Sequence, residues 1–320
     1  MSSDYDQNVI SERYSQPFKS VARAISLFSV EGKSGNRRVR NAATAWFRLF
    51  CHPFSRFCIL PDVLLIGASK CGTSSMAKHL SAHPGCMPPF FKEVRYFDSS
   101  GISAARFDVY KAHFPTSARR KVKEFISGKR AWTADFSPTY YDHPHAPRRV
   151  FETLGPDVKL IMMVRNPVDR AYSQFRFQRG LGIEPIEIFE RALDVEKSRV
   201  AGEGAKQLAN ACYFSRPLNY FGYLARSLYL PSIKKWHQYF DPSQLHIVRL
   251  EDFKKSPQLV FDEVCDFIGV PHCLIKNEVH NVSKIKEQMS AETRAKLVNY
   301  FRAHNRELSD YLGRDFDWDR

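Results

Sequence analysis

Two short apolar runs carry the clearest structural signal in the chain. Asp62-Val-Leu-Leu-Ile-Gly67 and Val158-Lys-Leu-Ile-Met-Met-Val164 are nearly continuous instead of alternating, the pattern of strands covered on both faces. A helix is predicted from Thr73 to His83, stopped by Pro84. After the second run, Asn166 is placed to cap a helix and Pro167 to occupy its first turn. A third strand over Leu245–Leu250 precedes Glu251, Asp252 and Phe253, with a helix predicted to run on through Phe267 and another over Ala291–Leu312. Strands alternating with helices predict an α/β fold, a parallel sheet flanked by helices on both faces.

Residues 1–60 read differently. They hold nine basic and four acidic residues and show no strand pattern. Ala42, Ala45, Trp46, Leu49 and Phe50 recur at helical spacing beside Arg40 and Arg48. Such a helix packs on the domain behind it or lies on a membrane surface, which makes 40–58 a candidate peripheral membrane contact. The expected organisation is a basic N-terminal extension over 1–60, partly helical or flexible, and a single domain over 61–320.

Composition narrows the class. Of 320 residues 43% are hydrophobic, with 15 Gly and 18 Pro, which excludes a disordered or fibrous chain. The net charge of +14 points to an anionic partner without naming it. The seven cysteines are scattered and odd in number, so neither a disulfide framework nor a metal knuckle is visible. The N-terminus lacks the basic-then-apolar order of a signal peptide, and no apolar run is long enough to cross a bilayer. A cytoplasmic protein is expected, or a Golgi lumenal one if the N-terminus is incomplete.

Chemistry enters at Gly67-Ala-Ser-Lys-Cys-Gly72-Thr-Ser74, which nearly matches the ATP-binding pattern GxxxxGK[ST]. Its two glycines have the required spacing, and the following helix N-terminus suits a phosphate. Thr73 stands where that pattern needs lysine, and the lysine lies earlier, at Lys70. At the end of the second strand, where ATPases often carry an acid that helps to hold magnesium, there is Arg165. Its planar fork pairs directly with phosphate, and Ser173, two helical turns on, can supply a hydroxyl to the same group.

In these residues the chain resembles the PAPS-dependent sulfotransferases (PAPS being 3′-phosphoadenosine-5′-phosphosulfate), particularly the heparan-sulfate and carbohydrate branch and its microbial relatives. The resemblance runs from Pro61 to Asp319. It is carried by Pro61–Ser75, Lys92-Glu-Val-Arg-Tyr-Phe-Asp98, Val164–Ser173, His246–Phe253 and Leu312–Trp318. It implies that Ser69, Lys70, Cys71, Gly72, Thr73, Ser74 and Ser75 grip the 5′-phosphosulfate, with Lys70 neutralising the bridging oxygen as the sulfuryl group leaves. Arg165 and Ser173 then bind the 3′-phosphate, and Lys284 is a further cofactor contact. Glu93 is implied as the base, Lys92, Arg95, Asp135 and Ser137 as acceptor-side residues, and no metal is expected.

Two departures bear on the acceptor. Glycan 3-O-sulfotransferases have Glu-Lys-Thr-Pro where this chain has Asp135-Phe-Ser-Pro138, and their disulfide-closed, lysine-rich hairpin is absent around Asn281–Lys286. The expected acceptor is a hydroxyl of an anionic or neutral glycan; a small hydroxylated or amino metabolite is the alternative. A P-loop kinase would need the displaced lysine and the missing acid. A non-catalytic binder of nucleic acid lacks any recognisable module. His79, His83, His143, His145 and His280 carry no motif that would make one of them the base.

Overall fold

The computed structural model describes residues 52–98, 104–275 and 289–319. Lys284, His280 and most of the proposed 40–58 membrane segment lie outside them; of that segment only a 3-10 turn at His52–Phe57 and Cys58 are described. In chain order the elements are β1 (Val63–Gly67), α1 (Thr73–Ala82), α2 (Ala104–Lys111), α3 (Ser117–Ser127), β2 (Ala134–Phe136), α4 (Ala146–Leu154), β3 (Lys159–Val164) and α5 (Pro167–Gly180). There follow α6 (Phe189–Val200), α7 (Glu203–Ala209), α8 (Arg216–Phe221), α9 (Leu230–Trp236), β4 (Leu245–Arg249), α10 (Leu250–Lys255), α11 (Pro257–Ile268) and α12 (Ala291–Leu312).

The strands form one parallel sheet in the order β2-β1-β3-β4. The two apolar runs are its central strands, and every residue of β1 and all but the first of β3 are buried. Because the order reverses at β1, the chain leaves β1 toward β2 on one side and returns through β3 on the other. The carboxyl ends of β1 and β3 therefore flank the switch point at which open α/β sheets bind ligands.

Asn166 caps α5 as expected, its side-chain oxygen accepting from the amide of Val168 at 3.0 Å, with Pro167 in the first turn. Two expectations need correction. The helix predicted through Phe267 is two helices, since Pro257 cannot donate to the preceding turn and instead opens α11. The strand β2 was not foreseen, because three residues with an acid at the centre, Ala134-Asp-Phe136, show no strand period.

Gly67, the last residue of β1, is pressed against a fixed neighbour. A β-carbon there would lie 2.6 Å from Cβ of Tyr141, and Tyr141 is held by bonds from its amide to the Ile66 carbonyl and from its hydroxyl to the Arg226 carbonyl. Gly67→Ala is expected to cost on the order of 2 kcal/mol by overpacking. A lowered urea midpoint with an unchanged slope would show it, and a wild-type midpoint would contradict it.

Candidate functional site

The loop from β1 to α1 is shaped by two left-handed residues, Lys70 at φ 73° and Gly72 at φ 85°. Gly72 is the N-cap of α1 and has no side chain to cap it, which leaves the helix N-terminus without a protein side chain in the capping position. The loop is tied across the switch point: the Ala68 amide donates to the Met163 carbonyl at 2.7 Å, and the Arg165 guanidinium donates to the Lys70 carbonyl at 3.4 Å. Lys70 lays its ammonium over the Phe177 ring on α5, 3.6 Å from the centroid. Ser173, on the same helix, is half-buried.

Within the loop the seven candidates part company. Ser69 donates to the Pro138 carbonyl at 3.2 Å, and Ser74 accepts from Lys92 Nζ at 2.6 Å. Cys71 points inward: its amide donates to the Ala68 carbonyl and its thiol, fully buried, lies 3.5 Å from the Tyr229 hydroxyl. Burial pushes that thiol up to about 11, so it stays protonated and packs as a small apolar group. Its expected contact with a cofactor is therefore replaced by a packing role. Tyr229, which sequence reasoning missed, joins the two loops by donating to the Arg165 carbonyl at 2.8 Å and accepting the Arg165 amide at 3.4 Å. A tyrosine in an apolar stretch 64 residues downstream carries no signal that could have found it.

Lys92 connects the loop to the candidate base. Its ammonium, bonded to Ser74, is 3.7 Å from Glu93 Oε1, and both side chains are roughly two-fifths exposed, at 38% and 44%. Glu93 and Arg95 adopt φ 61° and φ 55°, a region costly for residues with a Cβ, of order 1–3 kcal/mol each. The carboxyl end of β2 holds them there: the Glu93 amide donates to the Phe136 carbonyl at 3.1 Å and the Arg95 amide to Ser137 Oγ at 3.1 Å. Arg95 sends Nε and Nη2 to Asp98 Oδ2, which also accepts from Thr139, while its guanidinium lies 5.0 Å from the Phe214 ring centroid.

Asp135 and Ser137, expected on the acceptor side, are both fully buried. The Asp135 carboxylate accepts from Ser137 at 2.6 Å, Tyr140 at 2.9 Å and Tyr110 at 3.2 Å. An acceptor cannot reach it without displacing that shell, so both residues stand behind the site, supporting Arg95. The polar letters of Asp135-Phe-Ser read as surface in the sequence; only the pairing of Leu64 with Asp135 across the sheet reveals them as interior.

Of the five histidines weighed as a base, four are described, and each is engaged with its surroundings. His83 bonds the Pro271 carbonyl and the Gly85 amide, His145 bonds the Gln207 carbonyl, His79 packs on Phe253 and Phe261, and burial lowers His143 to about 4. Among the described residues no three His, Cys, Asp or Glu side chains gather as a metal site.

Cations and hydroxyls from the ends of two parallel strands thus stand beside a carboxylate that Lys92 bridges to them, in an α/β fold. Residues 60–312 match the family described as sulfotransferase domain, and the chain belongs to that family, whose members move sulfuryl groups and use PAPS as donor. It is 25% identical over 324 residues to the membrane-associated sulfotransferase kil1 of Dictyostelium discoideum, covering 81% of this chain and 66% of that protein. It is 30% identical to the bifunctional heparan sulfate N-deacetylase/N-sulfotransferase 3 of Mus musculus, over 80% of this chain but only 30% of that one. The chain thus spans just under two thirds of the first relative and under a third of the second. A sulfotransferase from Alicyclobacillus acidocaldarius shares its fold at a TM-score of 0.58 and 26% identity, covering 82% of this chain and all of that one.

The buried Asp135 makes stability depend on pH. Burial raises its carboxyl to about 6, only partly offset by the three hydroxyls, against about 3.9 in an unfolded chain. The folded state therefore holds this proton more tightly, so the group's contribution is fully present below about pH 4 and is lost as pH rises through about 6. Asp135→Asn should remove that loss. Urea midpoints of both proteins at pH 4.5 and 7 are expected to show the variant gaining on the wild type with pH, by on the order of 2 kcal/mol. Parallel curves would contradict it.

Proposed function

We propose that this chain is a PAPS-dependent O-sulfotransferase acting on a hydroxyl of a carbohydrate through a single catalytic domain over 61–320. The observation that carries the reading is the bridge Ser74–Lys92–Glu93, which sets a carboxylate beside the oxyanion loop. The donor set suits PAPS: Lys70, Ser69, Thr73, Ser74 and Ser75 for the 5′-phosphosulfate, and Arg165 with Ser173 for the 3′-phosphate. When bound, PAPS supplies the sulfuryl group and a stable leaving phosphate.

The remaining chemistry belongs to the protein. Glu93 takes the proton from the acceptor hydroxyl as that oxygen attacks. Lys70 offers fixed positive charge to the oxygen that leaves, and Lys92 holds Glu93 and Ser74 in one arrangement. Such transfer depends on position and fixed charge more than on covalent help from the enzyme. Arg95, steadied by Asp98, faces the acceptor. The relatives named for heparan sulfate support a glycan as that acceptor, and the +14 charge suits an anionic one. A small hydroxylated or amino metabolite is the second reading, favoured by Phe136, which is buried where glycan 3-O-sulfotransferases carry a lysine.

Glu93→Gln should lower kcat by roughly 10²–10⁴-fold with folding retained, while the desulfated donor PAP should raise the melting temperature of wild type and Glu93→Gln alike. Lys70→Ala should lose both turnover and much of the PAP shift. Incorporation of label from radioactive PAPS into a panel of desulfated glycans and small alcohols identifies the acceptor. Unchanged turnover in Glu93→Gln removes it as the base, and a melting shift with Mg-ATP but not PAP overturns the donor assignment.

A further inference from the structure

Helix α3 is folded inside out. Its polar side faces the protein: Arg120 donates to Asp62 at 3.1 Å and to Glu124 at 3.3 Å, Lys123 donates to the Cys86 carbonyl at 2.7 Å, and Glu124 accepts the Ala131 amide at 3.0 Å. None of its residues is buried. Its apolar residues point the other way, with Val122 58%, Phe125 90% and Ile126 78% exposed. At spacings of three and four these form one stripe on the outer face. A surface helix of a globular protein has the opposite orientation, apolar stripe inward.

The flanks of the stripe are basic. Residues 117–130 contain six lysines and arginines and one acid, and that acid, Glu124, is turned inward on Arg120 and Ala131. Arg119, Lys121 and Lys129 are exposed. A cavity of about 280 Å³ opens beside the same helix, lined by Arg119 and Lys123 together with Pro84, Met87 and Pro88. At the helix N-terminus, the 3-10 turn His52–Phe57 is joined to α3 by the pairing of Cys58 with Thr116 and by the bond from the Ile59 amide to the Pro115 carbonyl. That turn adds Phe54 and Phe57, 60% and 49% exposed, with Arg56 over the Phe57 ring.

We propose that α3 docks the protein on an anionic lipid surface, lying in the plane of the interface with Phe125 and Ile126 among the acyl chains and its basic flanks on the headgroups. An in-plane helix with an apolar stripe and cationic edges is the chemistry of interfacial binding. Charge complementarity selects an anionic surface over a neutral one. The size of the patch selects lipid over a second protein: even with Phe54 and Phe57 its five apolar side chains offer a few hundred Å², whereas a stable protein interface needs roughly 800 Å² on each partner. A polyanionic glycan would use the lysines but has no use for the stripe.

The test is co-sedimentation of the full 320-residue chain with vesicles of phosphatidylcholine alone and of phosphatidylcholine mixed with phosphatidylserine, at low and high salt. Binding is expected to the mixed vesicles only, weakening with salt. Phe125→Ser should weaken it by roughly tenfold or more, and Lys121→Gln and Lys129→Gln by roughly fivefold each. These side chains are exposed, so urea midpoints should match the wild type, as should turnover on a soluble acceptor. No binding to mixed vesicles, or equal binding by Phe125→Ser and wild type, overturns the proposal. So does a concentration-dependent dimer in solution that Phe125→Ser abolishes, because the stripe then belongs to a second copy.

Discussion

A parallel strand that ends inside a protein leaves backbone groups that must find partners, and the site follows from how this sheet meets that demand. The Ile66 carbonyl takes the Tyr141 amide, Met163 takes Ala68, and Phe136 takes Glu93. At β4 the debt runs through a side chain, Glu251 accepting the Asn166 amide at 2.9 Å. Three of these bonds draw the loop of one strand over the end of its neighbour, and the fourth sets the Glu93 segment against the end of β2. Lys70, Glu93 and Arg165, far apart in sequence, are thereby brought to one end of the sheet, with Tyr229 and Glu251 completing the bonds there.

That arrangement explains the strain. Lys70, Glu93 and Arg95 all occupy the left-handed region without being glycine. An isolated loop would relax out of it, whereas here the amides of Glu93 and Arg95 are committed to Phe136 and Ser137. Ser137 is committed in turn to Asp135, whose own burial is costly. The protein accepts an ionisable group in its core, and the result is a Glu93–Arg95 segment whose backbone is held by bonds to the end of β2. For a reaction governed by position and fixed charge, such rigidity supplies what a stronger base could not.

What the sequence discloses of this is uneven, for physical reasons. The strands β1 and β3 are legible because burial on both faces demands an unbroken apolar run, and the start of α5 is legible because a helix needs its cap. The turn from β1 into α1 can be read from its two glycines, one of which takes the left-handed conformation at the helix N-cap. By contrast β2 is three residues long and centred on Asp135, so neither period nor hydropathy marks it. Tyr229 and Asp98 act through contacts formed only when distant loops meet. Lys70, Lys92, Glu93 and Arg165 stand at the strand ends as charged residues do when a sheet stops near solvent, whereas Asp135, Ser137 and the Cys71 side chain, which the letters alone place beside them, are buried beneath.

The charge of the whole chain shows the same limit in another form. A surplus of +14 reads as a single statement about an anionic partner, yet its cations do unlike things. Arg95 is held by Asp98, Arg165 by a carbonyl and Lys92 by Ser74 and Glu93, so the site's cations are fixed in place and partly compensated before any ligand arrives. Lys121 and Lys129 on the outer side of α3 are exposed and edge an apolar stripe. Fixed cations lower the cost of organising a transition state; mobile ones on long stems follow a diffuse surface charge. Net charge counts both kinds equally. Only the placement of each cation, inward beside a carboxylate or outward beside a phenylalanine, separates the two kinds.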